Sequence, residues 1–398
     1  MKQYKRLFIT LAIASFFMSF GFNVWRAIFN NFAVEEIGVT ATQIGLIQSL
    51  REVPGLMGFT LGFLVLWLSE MRVLGLSVLL MGVGIALIGW ANNLGLLILG
   101  SMVMSFGFHY FYPTNSSVVL MGVGKQDAPK MLGFLRSVSS AAAVTGTAVV
   151  AIFVIGLDIG PISIPGWGYR TTLWVTGGVV LAGSLLVLRN GFGSGKGVQR
   201  EKRKVVFRRE YWLYYTLTFL MGIRRHIFTT FAIFMLVSVY EIPVSWTATL
   251  LLVNNLVSTF SSAGLGFLVT RFGERKVLTV NFLGLIGVFL GYAYVSLLPL
   301  LFFLFILDHV FFGFNLAIES YFQKIALSPD EITSNLGMAQ TINHVSALVV
   351  PVLGGILWEQ VSPSAPFILG VLVAALSLLL VQFMRTGPAP RPSPLPAE

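Results

Sequence analysis

Gly62-Phe-Leu-Val-Leu-Trp-Leu-Ser-Glu70-Met-Arg-Val-Leu74 recurs in the second half of the chain as Gly266-Phe-Leu-Val-Thr-Arg-Phe-Gly-Glu274-Arg-Lys-Val-Leu278. Seven of the thirteen positions are identical, and Arg72 stands opposite Lys276. Other fragments repeat in the same order. Arg26-Ala-Ile-Phe-Asn-Asn-Phe-Ala33 lines up with Arg225-His-Ile-Phe-Thr-Thr-Phe-Ala232, and Glu36-Ile-Gly-Val39 with Glu241-Ile-Pro-Val244. His109-Tyr-Phe-Tyr-Pro-Thr-Asn115 echoes His309-Val-Phe-Phe-Gly-Phe-Asn315, and Leu132-Gly133 meets Leu336-Gly337. The separation stays between 199 residues (Arg26 to Arg225) and 205 (Glu36 to Glu241). A shared offset and a shared order imply two copies of one unit in the same orientation. Such pairs enclose a site between them near the bilayer midplane.

The solvent of each copy follows from composition. Of 398 residues, 56% are hydrophobic and 11% charged, and the mean hydropathy is +0.84. Soluble domains carry roughly 25% charged residues, so this chain lacks the polar surface that water requires, and lipid suits it. The net charge of +10 would point to nucleic acid in a soluble protein. Here its placement says otherwise. All 26 Lys and Arg residues except Arg26, Arg51, Arg136, Arg170, Arg224 and Arg225 fall in the N-terminus, alternate short loops, a central loop and the tail. The opposite loops hold Glu35, Glu36, Asp158, Glu241 and Glu359, with Arg170 as their base. Under the positive-inside rule both termini are cytoplasmic, in an inner (cell) membrane, with the lipid bilayer rather than nucleic acid as the partner.

Reading for runs of about 20 apolar residues gives twelve spans: 7–33, 41–68, 72–92, 94–122, 129–157, 169–189, 210–239, 244–270, 275–296, 298–326, 331–358 and 364–385. The first is read as a retained helix, since it lacks a small-residue cleavage site. Residues 190–209, Gly/Ser-rich and then basic, form a cytoplasmic linker between an N-terminal six-helix bundle (1–189) and a C-terminal one (210–386). The proline-rich 387–398 is expected to be a disordered tail. The fold class is thus an all-α membrane protein of twelve helices in two pseudo-symmetric bundles. Absence of cysteine excludes disulfides and thiolate chemistry, and the four histidines are too scattered for a metal motif, so neither metal nor cofactor is expected.

The residues Gly266-Phe-Leu268-Val-Thr270-Arg271-Phe-Gly273-Glu-Arg275-Lys276 resemble the loop motif Gly-x-Leu-x-Asp-Arg/Lys-x-Gly-Arg-Arg/Lys of the major facilitator superfamily. Thr270 replaces the aspartate, and one extra residue precedes the final basic pair. The first copy departs further, with Leu66 and Trp67 where Asp and Arg are expected. The resemblance covers residues 5–386 and implies twelve helices, a long central cytoplasmic loop, and a monomeric secondary transporter moving a small molecule by alternating access. It also implies that Gly266, Arg271, Gly273, Arg275 and Lys276 act as a conformational latch at the cytoplasmic helix ends.

An ionisable side chain at the bilayer centre costs about 2.5–3.5 kcal/mol, so each marks a functional position by default. Arg26 and Arg225 lie mid-span in the first helix of each half. Asn23, Arg26 and Asn30 share one helix face, and Gly222, Arg225 and Thr229 share its counterpart. Guanidinium stays charged and offers a planar fork to oxyanions. Phosphate and sugar-phosphate exchangers of the superfamily are similar in placing one arginine on each of these helices. The other reading has either arginine bridging Glu52 or Asp308 to lock the bundle. His109 and Tyr112 on the fourth span, with Asn315 on the tenth, are candidate substrate ligands. Glu52, Asp308, His309 and Glu319 are candidates for proton coupling.

These features favour a transporter of a small organic or phosphorylated anion, either proton-coupled or an exchanger. The rival is a drug or lipid exporter of the same fold with structural arginines, though the segment Leu132 to Thr147 of the fifth span has small residues but none of the proline that such exporters usually carry there. A membrane enzyme would need a convergent acid–base set and large extramembrane loops, and an ATP-driven pump a phosphate-binding glycine loop. None is present in the sequence.

Overall fold

A computed structural model describes residues 5–123, 127–154, 156–159, 162–191 and 207–384. Most of the central linker and the whole proline-rich tail therefore lie outside the described residues. In the first half, α1 is Lys5–Asn31, α2 Ala41–Leu56, α3 Leu61–Trp67, α4 Glu70–Trp90, α5 Leu94–Gly122, α6 Ala128–Phe153 and α7 Gly168–Gly191. In the second, α8 is Trp212–Ser238, α9 Val244–Phe272, α10 Glu274–Tyr294, α11 Leu298–Phe312, α12 Asn315–Ile325, α13 Pro329–Gln360 and α14 Ala365–Val381.

Nine stretches among the described residues are long and apolar enough to cross a membrane. The bent pair α2/α3 makes a tenth, and two shorter apolar helices, Val244–Val257 and Ala365–Val381, occupy the remaining positions read from the sequence. The protein is a helical, multi-pass membrane protein.

Local chemistry sets the helix ends. Thr40 and Gln43 form a reciprocal capping box at the start of α2, and the Asn93 side chain accepts from Leu96 N at 2.9 Å to start α5. The last turn of the first helix widens into a π-helical stretch, Phe32–Ile37, and stops at Gly38, whose φ of 71° suits glycine. Beyond α8, which ends at Ser238, the chain also passes through a left-handed residue, Glu241, with φ 51°. Both copies close with a hydrogen bond reaching back six residues, Val39 N to Ala33 O and Ile242 N to Leu236 O.

Three departures from the sequence reading concern interruptions. The second span breaks by 55° between α2 and α3, three residues after Pro54, which withholds an N–H and crowds the preceding turn. The tenth span breaks at Gly313-Phe314, where short three-residue hydrogen bonds replace the α-helical ladder. The fifth span ends at Phe153 rather than 157, and a two-stranded antiparallel hairpin follows. Its strands are β1 (Gly156–Ile159) and β2 (Ile162–Pro165), paired Gly156 to Pro165 and Ile159 to Ile162. The Gly160-Pro161 link is a turn signal that hydropathy alone passes over.

The chain divides into two compact units, Met1–Gln199 with Ile233–Asn255, and Arg200–Ala232 with Leu256–Glu398. Within the first, α4 packs on α5 and α7, and α1 on α6 and α7. The backbones approach closely: a Cβ on Gly84 would sit 2.3 Å from Met104 N. Within the second, α10 packs on α11 and α14.

Candidate functional site

In the second unit, helices α8, α12 and α13 and the end of α11 surround a cavity of about 220 Å³. One stripe of α8 faces it, carrying Tyr214, Thr218, Gly222 and Arg225 at successive helical turns. Asn315 and Glu319 follow at i, i+4 on α12, and Gln340 and Asn343 at i, i+3 on α13. Gly222 lets α13 come close, since a Cβ there would meet Ser346 Oγ at 2.8 Å. The cavity sits beside the break between α11 and α12, with Phe312 before it and Asn315 after it. Irregular backbone at membrane depth is tolerated where it lines a cavity.

Two adjacent arginines reach this cavity by different routes. Arg224 is 1% exposed and its Nη1 donates to Asp308 Oδ1 at 2.8 Å, forming a buried ion pair between α8 and α11. Arg225 is half-buried, and its guanidinium lies 4.4 Å from the centre of the Phe312 ring, a cation–π contact. Asn315 Nδ2 donates to Glu319 Oε1 at 3.3 Å, so amide and carboxyl act as one polar face.

In the first unit the charges come from α2. The Arg51 guanidinium stacks 4.3 Å from the Trp25 ring and donates to Gln48 Oε1. Glu52 Oε2 lies 3.9 Å from His109 Nε2. Arg26 is half-buried on α1, and the Asn30 Oδ1 accepts no hydrogen bond among the described residues. Tyr112 is 41% exposed and packs edge-on against Phe108 and Phe111.

Residues 11–328 match the sequence profile of the Major Facilitator Superfamily. The chain belongs to that superfamily. Among curated proteins, none is close enough in sequence to match. Solved structures of this facilitator's fold include a point mutant of the nucleoside transporter NupG, at 15% identity and a TM-score of 0.76, over 95% of this chain and 99% of that one. A bacterial homologue of the human lysosomal transporter Spinster, in an inward-facing and occupied conformation, aligns at 14% identity and a TM-score of 0.74, over 96% of both chains. At these identities the likeness concerns the fold. The facilitator is a small-molecule transporter and not an enzyme.

The structure brings Arg225, Asn315 and Glu319 of the expected site together around one cavity. Thr229, one turn beyond, is exposed and turns its hydroxyl to Arg225 O at 2.9 Å. His309 lies outside the cavity lining. Its Nδ1 meets Phe305 O at 3.0 Å and its ring packs on Phe305 and Phe228. Of the two acids considered as arginine partners, Asp308 is engaged by Arg224, and Glu52 stands by His109.

At the loop motif, Gly266 belongs to α9 and Gly273 starts α10 with φ 79°. Arg271 and Lys276 are exposed, the former near the Phe272 ring, and Arg275 donates to Gln382 Oε1 at 3.2 and 3.3 Å. The group at the centre is one the sequence reading passed over. Glu274, 1% exposed, accepts from Lys324 Nζ at 2.6 Å and Ser320 Oγ at 2.7 Å. Its identity in both copies of the repeat was the available signal. A second missed cluster joins the end of the linker to α13. Arg208 grips Glu331 with Nε and Nη2 at 2.7–3.1 Å, and the Tyr211 hydroxyl donates to the same carboxylate.

Proposed function

We propose that this facilitator moves a small organic or phosphorylated anion across the cell membrane by alternating access, with its termini in the cytoplasm. The observation that carries the reading is Arg225, held on Phe312 in the wall of the second-unit cavity beside the amides of Asn315, Gln340 and Asn343. A guanidinium in a low-dielectric cavity attracts an anion far more strongly than one in water. Arg26 is its counterpart on the first helix of the other repeat, and transport requires both. Glu319, in the same cavity, is the candidate for proton coupling, because its carboxylate competes with the substrate for positive charge. The same wall also carries Met221, Phe312, Ile318 and Leu336, which would suit the apolar part of an organic anion or the amphipathic cargo of a drug or lipid exporter.

A second reading has one specific support. Glu319 offsets the charge of Arg225, and the three amides offer donors and acceptors to a neutral polar solute. NupG, alike in fold, is a nucleoside transporter. Uptake into proteoliposomes of a panel of carboxylates, phosphate monoesters and nucleosides separates the two. The anion reading expects uptake of at least one anion, abolished in Arg225→Ala and in Arg26→Ala. Uptake of nucleosides alone, or anion uptake undiminished in both variants, overturns it.

A further inference from the structure

Arg224 was not among the expected substrate ligands, and its pairing with Asp308 gives it the look of a structural residue. The hydrogen-bond inventory of its guanidinium is incomplete. Nη1 is satisfied by Asp308, whereas Nε and Nη2 have no hydrogen-bond partner among the described residues, although both are buried. Buried donors on a charged group are costly to leave unmade and are nearly always paired. The two that are open here are not arbitrary. Nε–H and Nη2–H lie on one edge of the guanidinium and point the same way, at the spacing of two oxygens of a carboxylate or phosphate.

The surroundings fit an oxyanion. Arg224 lines the cavity, and the Phe312 ring lies 5.8 Å from its guanidinium and 4.4 Å from that of Arg225. Asp308 binds the nitrogen away from the open edge, which fixes the plane of the guanidinium and leaves that edge for another ligand. A lysine at this position could keep the ion pair and the charge but not the fork. Both open nitrogens are covered in this conformation, so an anion reaches them only when the lining shifts.

We propose that the Nε/Nη2 edge of Arg224 is the bidentate receptor for the substrate's oxyanion group, with Asp308 as its positioning residue and Arg225 as the second charge. This rests on the anion reading above and narrows it: the substrate carries a carboxylate or a phosphate monoester, two groups that present paired oxygens to the fork. Spherical anions gain nothing from it.

The test uses the full chain purified in detergent, with benzoate and phenyl phosphate as probes and benzamide and chloride as controls, read by thermal stabilisation and by titration. The wild type should bind benzoate or phenyl phosphate in preference to benzamide and chloride. Arg224→Lys should lose on the order of tenfold or more of that affinity, the scale of charged hydrogen bonds, while Arg225→Lys keeps the preference for oxyanions over chloride. Wild-type affinity in Arg224→Lys overturns this assignment and leaves the anion reading standing. A wild type that binds neither probe but binds a nucleoside overturns both. Should Arg224→Lys fail to fold, competition on the wild type decides. Chloride displacing phenyl phosphate at matched ionic strength counts against the fork, and failure to displace it supports the fork.

Discussion

Trp25 and Arg224 each immediately precede the arginine shared by the two copies of the repeat, Arg26 and Arg225, and they show how the halves have diverged. In the first half the position carries an indole, and Arg51 from α2 stacks on it at 4.3 Å. In the second it carries a guanidinium, and Asp308 from α11 binds it at 2.8 Å. The residue matching Asp308 is Phe108, and the residues matching Arg51 and Glu52 are Asn255 and Leu256. Each half therefore buries charge against the same helix face, but draws it from a different neighbour. The repeat conserves a backbone layout and leaves the chemistry of each wall free to change.

The largest effect should come from breaking the buried pair. Asp308→Ala leaves Arg224 charged and uncompensated at 1% exposure, which should cost about 3–5 kcal/mol. Joint replacement by apolar residues, Arg224→Met with Asp308→Leu, should recover most of that loss. In the first half, Glu52 and His109 are 3.9 Å apart with side chains 19% and 13% exposed, and Glu52→Ala should cost less, about 1 kcal/mol, the centre of the range for single substitutions. Denaturant unfolding in micelles measures both. Equal costs in the two halves would break the comparison.

Why the sequence reading singles out Arg225 and not Arg224 has a physical answer. Consecutive residues on a helix point about 100° apart, so one of two adjacent arginines faces the cavity more fully and the other turns toward a neighbouring helix. Hydropathy and the repeat set the phase of α8 to within a residue, and the match of Arg26 to Arg225 singles out the less buried of two arginines that both line the cavity. Which acid serves which arginine depends on the rotation of α11 against α8, which no single helix encodes. The interruptions were hidden for a related reason. The breaks at Met57–Thr60 and Gly313-Phe314 fall inside apolar runs, where hydropathy stays high while backbone hydrogen bonding changes. The apolar spans were legible because lipid imposes them on composition, and nine or ten of the twelve read are long and apolar enough to cross a membrane among the described residues. Side-chain pairing is a tertiary property.

A smaller contrast lies in the repeated loop itself. Glu70 and Glu274 occupy matching positions in the two copies of the motif, yet Glu70 is half-exposed while Glu274 is buried against Lys324 and Ser320. Taking the offset of the His109 and His309 segments, Leu120 and Gly124 stand where Ser320 and Lys324 do. The first copy has the acid without its partners. Glu274→Gln should lose about 1–3 kcal/mol, the range for a buried hydrogen bond to a charged group, and Glu70→Gln should stay within about 0.5 kcal/mol. Transport rates should follow the same order if the charge pair also holds the joined ends of α10 and α12 in step. A larger loss at Glu70 would show that the first copy keeps a working latch.

The halves agree most closely in their arginine–aromatic stacks, at 4.3 Å for Arg51 on Trp25 and 4.4 Å for Arg225 on Phe312. Indole is the stronger π-donor, but Arg51 also bonds Gln48, which holds it independently of the ring. Double-mutant cycles, Trp25→Leu with Arg51→Lys and Phe312→Leu with Arg225→Lys, should each return a coupling of about 0.5–2 kcal/mol. The sharper expectation concerns ligand. Phenyl phosphate at saturating concentration should change the Arg225–Phe312 coupling, because the anion draws the guanidinium from the ring, and leave the Arg51–Trp25 coupling as it was. A shift confined to the Arg51–Trp25 pair would move the anion site to the first half and reverse the assignment of the two walls.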